Sequence, residues 1–144
     1  MPGIVVAVDG SPNAERALEW AMGHAAALQV PLIALAVHEV PKSYWGGIPV
    51  VGPADDAVLG RLRQAAEEMT QRVAAGLAVK PPSVQVRAVS GFVVKEIVDA
   101  SQDADLVVVG PRGGHGFARL IMGSVSTEVI QQSKCPVVIV PPQK

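Results

Sequence analysis

LVVVGPRGGHGFARLIMGSVSTEVIQQSKCPVVIV, residues 106–140, decides how the chain folds. An unbroken apolar run, Leu106 to Val109, leads into a glycine-rich loop, then a short helical segment and a second apolar run from Val137 to Val140. Short apolar runs bounded by glycine and proline read as strands buried on both faces. Strand, helix and strand in succession read as parallel strands joined by a crossover. Gly110, Gly113, Gly114, Gly116 and Gly123 supply backbone that can turn through positive φ and present bare N–H groups to an anion such as phosphate. Ser124 stands where the helix begins. A hydroxyl there can cap the helix and help hold a phosphate at the positive end of its dipole.

Outward from this stretch, the same alternation continues to the start of the chain. Ile4 to Val8 (IVVAV) is too short for a helix and ends at Asp9, Gly10, Ser11 and Pro12, which marks a central strand. Ala14, Ala17, Leu18, Ala21, Met22, Ala25 and Leu28 then recur at helical spacing, with Ser11 as N-cap and Pro12 in the first helical position. Leu32 to Val37 is a second strand, apolar on both faces. His38 to Pro53 has no sustained period and reads as a long loop. Leu59, Leu62, Ala66, Met69, Val73 and Leu77 form the stripe of a second helix. Val84 to Val89 alternates apolar residues with Gln85 and Arg87, the pattern of a half-exposed edge strand. Ser90 and Gly91 open a third helix with Val94, Ile97 and Val98 inward, and a fourth runs from about Val125 to Ser133.

The order βαβαβαβαβ predicts one α/β domain over residues 1–144: a three-layer, doubly wound, Rossmann-like fold on a five-stranded parallel sheet. Counting strands along the chain, the expected sheet order is 3-2-1-4-5. Its switch point lies between the first and fourth strands, where Asp9 and the loop from Gly110 face each other and a ligand would sit.

Composition narrows the function. The 144 residues are 49% hydrophobic but 3% aromatic, so the core is built from Val, Ala, Leu and Ile, as buried parallel strands require. A net charge of −1 without a basic stripe argues against nucleic-acid binding. The single Cys135 cannot form an internal disulfide. With a start that lacks a basic, then apolar, signal pattern, it points to a cytoplasmic protein. No apolar run is long enough to span a bilayer.

The loop matches none of the widespread phosphate motifs. It has no lysine for a P-loop, and DGSPNA after the first strand is not the dinucleotide fingerprint GxGxxG. The SGGxDS loop of AMP-forming pyrophosphatases is also absent there. What it contains is Gly110, two residues, Gly113, nine residues, then Gly123 and Ser124: Gx2Gx9G(S/T).

This motif, with VDGS closing the first strand and SVSTEVIQQSKCPVVIV near the chain's end, resembles the universal stress protein family over essentially the whole sequence, and within it the ATP-binding group. The resemblance implies adenine nucleotide binding, with ATP and magnesium as the cofactors. It puts Ala7 and Asp9 beside the nucleotide, Asp9 near ribose, phosphates or the magnesium ion, and Val37 in backbone contact with adenine. Gly110 and Gly113 would line the ribose and phosphate path, and Gly123, Ser124 and Val125 would bind the phosphates. It also implies a homodimer through the last strand, Val137 to Val140, whose apolar edge would otherwise invite uncontrolled pairing. Pro111 departs from the family, which often has Ser or Thr there, and so removes a hydroxyl and an N–H from the loop.

Arg112 and Arg119 are placed either to neutralise phosphate or to face water, and His115 either to donate to phosphate or to lie exposed. His38 lies near the base or begins the loop. His24 has no partner legible in the sequence, and Cys135 reads as a small packed residue. Tyr44 and Trp45 either close over adenine or pack at a dimer surface. No His, Cys and carboxylate cluster has transition-metal spacing. The reading is an ATP-binding stress or signalling protein rather than primarily an enzyme, since the loop supplies charge stabilisers but no base. Slow hydrolysis, self-phosphorylation on Ser124 or Ser126, and AMP or cyclic AMP in place of ATP stay open, as does a nucleotide-free dimerisation module.

Overall fold

The structure, a computed structural model, describes residues 3–9, 12–39, 43–45, 48–50, 56–110 and 123–142. Among the described residues, seven strands and four helices follow in the order β1 (Ile4–Val8), α1 (Pro12–Leu28), β2 (Leu32–Glu39), β3 (Ser43–Trp45), β4 (Ile48–Val50), α2 (Asp56–Ala75), β5 (Val84–Gly91), α3 (Val93–Ser101), β6 (Leu106–Val109), α4 (Ser124–Gln132) and β7 (Val137–Ile139). Five of the strands form one parallel sheet in the order β5-β2-β1-β6-β7. Numbered among themselves these are 3-2-1-4-5, the expected doubly wound order.

The sheet is central because β1 has no polar face. All five of its side chains are at most 5% exposed, and they alternate between two cores. Ile4, Val6 and Val8 pack with Leu18, Met22, Met69 and Val73 of α1 and α2. Val5 and Ala7 pack with Val93 and Ile97 of α3 and Val129 of α4. Helices therefore cover both faces, and each fully buried Val or Leu contributes about 1.5–3 kcal/mol. The edge strand β5 is largely exposed over Val84 to Arg87, as its alternation requires.

Three details differ from the sequence expectation. β2 runs two residues past Val37 because His38 and Glu39 pair with Ser90 and Gly91 of an equally extended β5. Those two residues therefore belong to a strand, and α3 starts at Val93 with Phe92 as its extended N-cap. The segment expected as loop contains the antiparallel pair β3 and β4, with Ser43 opposite Val50 and Trp45 opposite Ile48. Among the described residues no helix is long and apolar enough to cross a membrane.

Candidate functional site

Sheet order reverses at β1: α1 and α2 lie on one face, α3 and α4 on the other, and the crevice opens where β1 and β6 end. Val8 and Asp9 finish β1 there and Val109 and Gly110 finish β6; Asp9 is exposed, whereas Gly110 is buried. A Cβ on Gly110 would lie 3.3 Å from the Asn13 carbonyl oxygen in the first turn of α1. Glycine thus serves close approach at this position. Gly110 lies outside the left-handed region and Gly123 is extended, with φ −68° and ψ 166°. Neither uses the positive φ expected of it.

The start of α4 is fastened to the same point. Ser126, fully buried, donates its hydroxyl to the Gly110 carbonyl at 3.0 Å, and Thr127 donates both its N–H and its hydroxyl to the Gly123 carbonyl at 3.1 Å. Gly123 occupies the N-cap position with no side-chain cap. Ser124 is accordingly the first helical residue rather than the cap, and its side chain is exposed. The first N–H groups of α4, which have no intrahelical acceptor, thus stand at the end of β6 without a capping side chain among the described residues, a donor set suited to an anion.

Ala7 is buried and Val37 and Val125 half-buried, all three in the core that also holds α3 and α4. The structure therefore brings Ala7, Asp9, Gly110, Gly123, Ser124 and Val125 to the β1 and β6 end of the crevice, with Val37 one strand away on β2. Gly113, with Gly10, Ser11, Pro111, Arg112, Gly114, His115, Gly116 and Arg119, lies outside the described residues, as do the side chains of Tyr44 and Trp45. No group of three or more His, Cys, Asp or Glu suited to a metal occurs among the described residues.

A cleft of about 310 Å³ that no motif announces lies beside Asp9, between the ends of β1 and β2 and helix α2. Val8, Ala36, Ala66 and Met69 form its apolar floor, and Asp9, Glu68 and Arg72 its charged rim. Arg72 also reaches Glu15 of α1, Nη2 to Oε1 at 2.8 Å, and so ties the two helices together. Spacing could not reveal the bond from Ser126 to Gly110, the approach of Asn13 to Gly110 or this pair, because each joins residues distant in sequence.

The remaining candidates take structural positions. His24 stacks on Trp20 with ring centroids 3.7 Å apart and 17° between planes, its Nδ1 2.8 Å from the Trp20 carbonyl oxygen. His38 is half-buried on β2, opposite Ser90. Half-buried Cys135 packs at the foot of β7, 3.8 Å from the Ser133 hydroxyl.

A universal stress protein of Mycobacterium tuberculosis is 32% identical over 142 residues, which cover 96% of this chain and 47% of that protein. The chain thus spans about half the length of the curated relatives it matches. Among solved structures, a universal stress protein in complex with cAMP has a TM-score of 0.67 at 27% identity, covering 97% of this chain and 96% of its own. The universal stress protein from Archaeoglobus fulgidus in complex with dAMP has a TM-score of 0.61 at 25% identity, with 96% and 97% covered. The Universal stress protein family profile matches residues 2–141, and the chain belongs to that family.

Proposed function

We propose that the protein is a cytoplasmic, single-domain, homodimeric universal stress protein that binds ATP with magnesium and changes its conformation or partners with the nucleotide bound. The observation that carries this reading is the meeting, at the switch point, of Asp9, the close-packed Gly110 and the uncapped start of α4. The cAMP and dAMP complexes of its relatives support an adenine nucleotide as ligand.

The residues present fit that ligand. N–H groups at Gly123, Ser124 and Val125, with the Ser124 hydroxyl, would hold phosphate oxygens at the positive helix end. Gly110 and Gly113 would line the path of ribose and phosphates, and the Asp9 carboxylate would take a ribose hydroxyl or the magnesium ion. Ala7 would lie against the nucleotide, and the backbone at Val37 would meet the adenine edge. Magnesium would neutralise phosphate charge. Phosphoryl transfer would also need a base or a positioned water, and none is assigned. The protein is read as a binder whose hydrolysis, if present, is slow.

Dimerisation through β7 is supported by its edge. Pro136 accepts from Val107 and Val140 donates to Val109, so the alternate residues Val137 and Ile139 turn their N–H and C=O groups away from the sheet. Two copies of this chain would also approximate the length of the curated relatives.

Two measurements test the reading. Protein purified from cells and denatured should release an adenine nucleotide, and calorimetry with ATP and magnesium should show saturable binding that Gly113→Val abolishes. Absence of both signals would overturn it. A second reading, AMP or cyclic AMP as the resident ligand, is favoured by the monophosphates bound in the two relatives, and competition against ATP separates the two.

A further inference from the structure

A second cavity, about 240 Å³, lies between α3 and the edge strand β5, toward the amino ends of β1 and β2 and away from Asp9 and Gly110. Its floor is Val5, Ile33 and Leu35, on the sheet face shared with α3. One wall is α3 with the turn that follows it: Glu96 and Asp99 line the cavity three residues apart, on one face of the helix, and Asp103 lines it from the turn after Ser101. Facing them is Arg87 of β5, which pairs in register with Leu35.

These charges do not neutralise one another. Asp99 is held by Lys95 at 2.8 Å, but among the described residues neither Arg87 nor the carboxylates of Glu96 and Asp103 has an ion-pair partner. The cavity therefore offers a cation and carboxylates together over an apolar floor. A ligand that complements all three carries an anion, a cation and a short apolar group. The volume falls below the roughly 300–1,000 Å³ typical of drug-sized ligand pockets, so the ligand is small.

We propose that this cavity binds a free aliphatic α-amino acid as its zwitterion, the carboxylate on Arg87, the ammonium on Glu96 or Asp103, and the side chain on Val5, Ile33 and Leu35. A guanidinium recognises a carboxylate through two parallel hydrogen bonds. The opposite charge in the same small molecule excludes simple anions and simple amines by leaving one wall unmatched. The site is separate from the nucleotide crevice and does not rest on the reading given for it.

The test is an amide-resolved NMR titration of the full chain with leucine, with leucinamide, which lacks the carboxylate, and with 4-methylpentanoate, which lacks the amine. Leucine is expected to give saturable shifts in α3, β2 and β5, and each analogue to bind about tenfold more weakly or worse. Arg87→Gln and the double variant Glu96→Gln, Asp103→Asn should each cost about tenfold in leucine affinity while the circular dichroism spectrum is unchanged. No saturable shift with leucine would overturn the proposal. So would leucinamide binding as tightly as leucine, which would reduce the cavity to a cation site, or unaltered leucine affinity in Arg87→Gln.

Discussion

Gly3 and Gly91 are the same residue in very different surroundings. A Cβ on Gly3 would sit 2.2 Å from the Pro31 carbonyl oxygen, backbone that is held in place because that oxygen accepts from the Ile4 N–H at 2.9 Å. A Cβ on Gly91 would sit 2.6 Å from Glu96 Oε1, the free end of a flexible side chain. Gly3→Ala should therefore destabilise the fold by about 1–3 kcal/mol and Gly91→Ala by less than about 0.5 kcal/mol, as read from urea denaturation. Ser126→Ala leaves the buried Gly110 carbonyl without its hydroxyl donor and should cost about 1–3 kcal/mol. Because the same bond fixes the start of α4, nucleotide affinity should fall with it. Lys95 is held above the ordinary lysine range, first by its hydrogen bond to Asp99 and then by that carboxylate's charge. A raised value in the folded state means that its contribution is complete at neutral pH and is lost only in strong alkali. The stability difference between Lys95→Met and the parent should stay constant through neutral pH and shrink only there.

β7 shows how backbone direction separates folding from association. Ile139→Pro removes an N–H that points away from the sheet, which an edge strand tolerates. It also removes a donor needed by any strand that adds to that edge. On the proposed dimer the parent should sediment as a dimer, and the variant as a monomer that is still folded by circular dichroism; a dimeric variant would rule out pairing through this edge. The long elements were legible because each repeats one physical signal: α1 begins at Pro12 and ends at Leu28 as its spacing indicates, and β1 spans the apolar run from Ile4 to Val8. β3 and β4 were not, because strands of three residues are too short for a period and Pro49 interrupts the second. The crevice was legible to the extent that it depends on strand order and on glycines. The cleft under α2 was not, since it depends on where Met69 and Arg72 of one helix fall against Val8 and Ala36. Arg87 shows the same limit from the other side: alternation marks it as turned from the α1 and α2 core, but only the packed α3 makes that direction a cavity wall.

Ligand binding should register in the stability of the entire protein. At a nucleotide concentration of 100 Kd, linkage adds about 2.7 kcal/mol to the unfolding free energy, so magnesium and ATP should raise Tm by several degrees in calorimetry. Asp9→Ala should reduce that rise. The central place of β1 also governs how the molecule is made. One neighbour, β2, follows closely in the chain, but the other, β6, pairs Leu106 with Ile4, so a long stretch must be synthesised and closed into a loop before the contact forms. Until then β1, apolar on both faces, is a bare sheet edge on a growing polypeptide, open to pairing with the wrong strand. Such long-range parallel pairing folds slowly, and the amino-terminal half has its full set of partners only after the segment that ends in β7 has left the ribosome.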